Sequence, residues 1–143
     1  MSRSAAIRHI LLAYDASEEA DAAFEYARTV AKHFDAALVV LSVVTHPAFA
    51  DNVELTASLE EGRKKAEQAL RRLRHVTKGE GFSVNFLIKV GRPPEQILAH
   101  AESIGADLIV MGHRHRSLME RAFAQSTAIK VMEYANCPTL IVR

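Results

Sequence analysis

Five short apolar runs alternate along this chain with longer segments of helical periodicity, and few architectures accept that alternation. The runs are Ile7 to Tyr14, Leu38 to Val44, Ser83 to Val90, Ala106 to Met111 and Thr139 to Val142. Leu38 to Val44 is almost continuously apolar and β-branched, the pattern of a strand covered on both faces of a parallel sheet. Ser83 to Val90 instead alternates, placing Val84, Phe86, Ile88 and Val90 on one face as a half-covered edge strand does. Between the first two runs, Ala20, Ala23, Phe24, Ala27, Val30, Ala31 and Phe34 recur at intervals of three and four, behind Asp15-Ala16-Ser17 and the acidic Glu18 and Glu19. A second helix opens near Asn52, Thr56 or Ser58 and carries Leu59, Ala66, Ala69, Leu70, Leu73 and Val76 on its inner face. Pro93 and Pro94 open a third, with Ile97, Leu98, Ala101 and Ile104, which Gly105 ends. Strands alternating with helices of these lengths predict an α/β fold: a parallel sheet with right-handed crossovers and helices on both faces.

With 143 residues the chain has room for one buried core and not for two of ordinary size, so residues 1–143 are read as a single domain. A formal net charge of +1 gives no overall field to hold a polyanion, and nucleic acid is not expected as a partner. On the second helix Glu60/Lys64, Glu61/Lys65 and Glu67/Arg71 stand four apart. Acids intersperse with Arg71, Arg72, Arg74 and Lys78 and no aromatics interleave, so the charge run is read as a solvated face. Cys137 is the sole cysteine, and no apolar run is long enough to span a bilayer. A reducing, cytoplasmic setting with no membrane partner is the expectation.

In open parallel sheets ligands settle at the carboxyl ends of the strands, where strand order reverses. The residues just past each strand therefore matter most: Asp15, then Val43 and Val44, Gly91, and the stretch from Gly112 onward. There the residues resemble those of the universal stress proteins. Ile10-Leu11-Leu12-Ala13-Tyr14-Asp15-Ala16-Ser17-Glu18 is similar to that family's first strand and acidic turn, and Gly91-Arg92-Pro93 with Ile97 to its Gly-x-Pro turn. Asp107 to Gly112, then Ala135-Asn136-Cys137-Pro138-Thr139-Leu140-Ile141-Val142, resembles its fourth strand, glycine loop and closing strand. The resemblance implies a single doubly wound sheet of five parallel strands in the order 3-2-1-4-5. It also implies a homodimer paired through Thr139 to Val142, a strand that otherwise leaves an unpaired edge.

For ATP-binding members the resemblance implies that the acid after the first strand, here Asp15, holds the adenosine and that the backbone at Val43 meets the base. Phosphates lie in a loop of form G-x-x-G, nine residues, G-S/T. Here Gly112, after Met111, matches the first glycine; His115 and Gln125 replace the second and third, while Ser126 and Thr127 keep the hydroxyls. Glycine suits such a loop through its freedom at positive φ and its open backbone N–H groups, which His115 and Gln125 reduce. Arg114 and Arg116 supply two permanent cations in compensation. Two readings stay open: a module binding ATP or AMP, with Mg accompanying the phosphates, or a dimeric protein that contacts a regulatory partner and has lost the nucleotide. Each residue also has a purely structural role available. Asp15 suits a turn, Gly112 a tight strand-to-loop corner, and Ser126 or Thr127 a helix cap.

Other chemistries find little support. No G-x-S-x-G elbow, Walker lysine or G-x-G-x-x-G is present, so a hydrolase, a P-loop ATPase and a dehydrogenase are not indicated, and the chain is read as non-catalytic. His113 and His115 stand two apart, but the neighbouring arginines repel a dication and no carboxylate or thiol lies close in sequence. Cys137, before Pro138 in apolar surroundings, is read as a packed thiol.

Overall fold

The first apolar run becomes the middle of a five-stranded parallel sheet of order β3-β2-β1-β4-β5. The computed structural model describes residues 6–45, 53–113 and 127–143. Along the chain the elements are β1 (His9–Ala13), α1 (Glu18–Phe34), β2 (Ala37–Thr45), α2 (Val53–Thr77), β3 (Val84–Gly91), α3 (Pro93–Ile104), β4 (Leu108–Gly112), α4 (Thr127–Tyr134) and β5 (Thr139–Val142). The strand order implied by the resemblance is the one found. Two partners flank β1: Ala13 lies opposite Leu41 of β2 on one side and Met111 of β4 on the other.

Because side chains alternate along a strand, the sheet carries two cores. Ile10, Leu12, Tyr14, Leu38, Val40, Val110 and Val142 pack with α1 and α2 on one face. Leu11, Leu41, Ile109 and Met111 pack with Ile97 and Ala101 of α3 and Ala128 and Val131 of α4 on the other. Ile10, Leu11 and Leu12 are all fully buried, which explains why β1 reads as an unbroken apolar run.

Helix α1 starts where Ser17, in extended conformation, accepts the Ala20 N–H on its Oγ at 3.1 Å. It ends at Asp35, in the left-handed region with φ 53°. Its buried side is largely Ala20, Ala23, Ala27 and Ala31, side chains short enough to bring the helix close to the sheet. Polar clasps join the layers. The Tyr14 hydroxyl donates to Asp21 Oδ1 of α1 and accepts from Arg72 of α2 at 2.8 Å, and Arg28 of α1 pairs with Glu80 after α2.

Two details depart from expectation. The fourth strand begins at Leu108, not Ala106, because the Asp107 carboxylate turns across to accept the N–H groups of Arg8 and His9 at 2.8 and 2.9 Å. Those bonds, that from Arg8 foremost, hold its pKa below the usual carboxylate range. On β3, Val84, Phe86 and Ile88 pack on the α1/α2 core as the alternation predicts, but Val90 is exposed and Leu87 joins the opposite core.

Candidate functional site

Strand order reverses between β1 and β4, since the chain moves outward through β2 and β3 and then returns to the far side of β1. Three of the residues singled out from sequence reach that rim by register alone. Ala13 stands opposite both Leu41 and Met111, so Asp15, Val43 and Gly112 all lie at or just past the carboxyl ends of adjacent parallel strands.

Asp15 is exposed. Its Oδ1 accepts from the Ser17 N–H at 3.0 Å and from the Ser17 hydroxyl, so the acid steadies the residue that caps α1. Oδ2 makes no hydrogen bond among the described residues and is free to accept one from a ligand. Between these two residues Ala16 holds φ 64°, a left-handed conformation that costs an alanine about 1–2 kcal/mol. The turn that presents Asp15 is thus strained, held by the Ser17 cap on one side and by β1 on the other.

Val43 is half-buried, its side chain on the α3/α4 face. Its backbone is more informative. The Tyr14 N–H donates to the Leu41 carbonyl at 2.8 Å, and period-two alternation turns the Val43 N–H and carbonyl to the same side, beyond the last residue of β1. They offer one donor and one acceptor to the crevice, a pattern complementary to the edge of an adenine ring.

Met111 is buried in the α3/α4 core and paired on both sides, with Ala13 and with Ile141, so it supplies floor and no free group. Gly112 departs from the turn expected of it. It closes β4, paired with Val142, and is not in the left-handed region. Its lack of a side chain is needed elsewhere: a Cβ there would lie 2.5 Å from the Glu19 carbonyl carbon, 2.6 Å from its oxygen and 2.7 Å from the Ala20 nitrogen. Gly112 is where the first turn of α1 rests against the sheet, a constraint invisible to loop-pattern reasoning. Thr127 is half-buried at the start of α4. Arg114, His115, Gln125 and Ser126 lie outside the described residues.

Elsewhere, Cys137 is half-buried and burial pushes its thiol pKa up, as suits a packing residue. Among the described residues no helix is long and apolar enough to cross a membrane, and no three His, Cys, Asp or Glu side chains cluster as metal ligands.

Comparison with known proteins agrees with this geometry. A universal stress protein of Methanocaldococcus jannaschii is 31% identical, over 95% of this chain and 82% of its own length. The solved structure of UspA from Lactobacillus plantarum, 27% identical, superposes with a TM-score of 0.86 over 98% of this chain and 100% of that one. A further structure, described as a universal stress protein in complex with cAMP, shares the fold at 20% identity, with a TM-score of 0.76 over 96% of this chain and 98% of that one. The sequence model of the universal stress protein family matches residues 6–143. With that model matched over nearly its whole length and a relative at 31% identity, the chain belongs to the universal stress protein family.

Proposed function

We propose that the chain is a non-catalytic stress-response module that binds an adenine nucleotide, ATP or AMP, in the crevice between β1 and β4. The observation that carries this reading is the meeting of an exposed acid with a free carboxylate oxygen, Asp15, and the outward backbone pair of Val43 at the point where strand order reverses. In this reading Oδ2 of Asp15 accepts a ribose hydroxyl and Val43 pairs with the base. The phosphates, with Mg where ATP is bound, run toward Gly112, Arg114, His115, Gln125, Ser126 and Thr127. The cAMP-bound protein of the same fold supports adenine nucleotides as the ligand class.

Thermal melting with Mg-ATP and with AMP tests it. At about ten times its Kd a nucleotide adds about 1.4 kcal/mol, raising Tm by roughly 3–5 °C. Asp15→Asn, which keeps an oxygen for Ser17 but removes the charge, is expected to lose most of that rise. A melt unchanged at millimolar nucleotide refutes the reading. If His115→Gly with Gln125→Gly then restores a shift, the chain is the interaction protein that lost its ligand.

The module works as a homodimer joined through β5. Pro138 and Val142 carbonyls accept from Ile109 and His113 on the β4 side, so the backbone groups of Thr139 and Ile141 face outward at the sheet edge. Ile129 and Met132, one turn apart on α4, are exposed apolar side chains available to such an interface. Sedimentation at micromolar concentration is expected to give twice the chain mass; a monomer at that concentration rules the dimer out.

A further inference from the structure

The other edge of the sheet carries a concavity of its own. Where the end of α2 passes the start of β3, a groove of about 790 Å³ opens, and it continues past Arg71, Arg74 and Phe86 into a second of about 360 Å³. Arg71, Arg74, His75 and Lys78 line it. Among the described residues none of these four is paired with a carboxylate. Of the acids lining it, Glu80 pairs with Arg28, and Glu67 pairs with Arg63, which lines the second groove as well. Arg72, their neighbour in sequence, turns to Tyr14 and Asp21. In a chain of net charge +1 Arg71, Arg74 and Lys78 are a local concentration of permanent cations that no described carboxylate pairs with.

The facing wall is β3, an edge strand of eight residues. The Leu38 N–H donates to the Ser83 carbonyl at 2.8 Å, which fixes the alternation: the N–H and carbonyl groups of Val84, Phe86, Ile88 and Val90 point away from β2. No described residue pairs with that side. The edge thus combines a free backbone ladder with a cationic row running beside it.

We propose that this edge binds an acidic segment of a partner protein in extended form, which adds to β3 as a sixth strand and directs alternate carboxylates to Arg71, Arg74 and Lys78. The dimensions agree. Arg71 to Lys78 spans about 10 Å of helix axis, and side chains on one face of a strand recur about every 7 Å, so two acids of one segment cover the row. A second copy of this chain is disfavoured, because a two-fold axis at β3 sets the same cations against each other. Single-stranded nucleic acid is disfavoured as well. It needs open aromatic faces for stacking, but Phe82 is buried and the Phe86 ring lies under the Arg74 guanidinium, 5.2 Å from the ring centre. The groove is remote from the β1/β4 rim, so the proposal stands whether or not a nucleotide binds there.

The test uses the full chain and a labelled peptide of about eight residues alternating valine and glutamate, followed by fluorescence anisotropy and by amide hydrogen exchange. The peptide is expected to bind, to weaken at least about tenfold in Arg71→Glu/Arg74→Glu and at high salt, and to slow exchange at Val84, Phe86, Ile88 and Val90. If the charge-reversed protein does not fold, Arg71→Gln/Lys78→Gln reads the same loss. Three results would each overturn the proposal: no binding at millimolar peptide, equal binding of a valine–lysine peptide, or binding with no slowing at those four amides. Tighter binding of a single-stranded oligonucleotide that the peptide cannot displace overturns it too.

Discussion

Gly112→Ala is expected to destabilise the protein by about 3 kcal/mol, the upper end of the range for forcing one carbon into a packed site. The new Cβ falls within 2.7 Å of three backbone atoms of Glu19 and Ala20, and no flexible side chain is there to yield. Relief requires the first turn of α1 to lift from β4, taking with it the buried Ala20 and the Ser17 cap that Asp15 steadies. Gly79→Ala is the matched control. Gly79 holds φ 86° with nothing within 4 Å of its would-be Cβ, so that change carries only the conformational cost of about 1–2 kcal/mol. Denaturant unfolding of both variants separates close packing from backbone conformation. A cost at Gly112 no greater than that at Gly79 would show that α1 is free to move aside, and the site's turn with it.

The contrast between these two glycines shows what was readable from the chain. Burial on both faces of β1 and β2 writes itself into local sequence as unbroken apolar runs, and the Ser17 cap and Gly105 stop are equally local. Strand order is not local, and the order 3-2-1-4-5 came from family resemblance. Gly112 was legible as a residue that matters but not for its reason, because Glu19 lies far from it in sequence, in the first turn of α1. The basic row of α2 is exposed, as its reading as a solvated face expects, but its surroundings were not legible. Read along the helix it has no aromatic neighbours, while the fold brings Phe82 and Phe86 from the next strand and its approach. Val90 broke the β3 alternation because it lies at the strand's end, exposed where Ile88 is still covered. At the candidate site, Asp15 and Val43 were found through their place after a strand, whereas the strain at Ala16 left no mark in composition.

Raising the pH is expected to remove about 2–3 kcal/mol of stability through Tyr14 alone. Its side chain is 2% exposed, and burial, reinforced by the hydroxyl's bond to Asp21, pushes its pKa up to about 12 against the partial opposition of Arg72. An unfolded tyrosine titrates near pH 10. The native state therefore retains a proton that the unfolded chain releases, and the stability this contributes is complete below about pH 10. It drains away as pH climbs through about 12, where the native phenol ionises as well. Tyr14→Phe isolates the effect from other groups titrating in the same range. At neutral pH the variant is expected to lose about 1 kcal/mol, since Arg72 still reaches Asp21 at 3.1 Å once the hydroxyl is gone. Its stability should then fall less steeply than the wild type's between about pH 10 and 12, so the two curves cross and the variant ends about 1–2 kcal/mol the more stable in strong alkali. Denaturant midpoints measured across that range decide the matter: curves that stay parallel would mean that the phenol is hydrated, and that the Tyr14–Asp21–Arg72 clasp does not join α1 to α2 in solution.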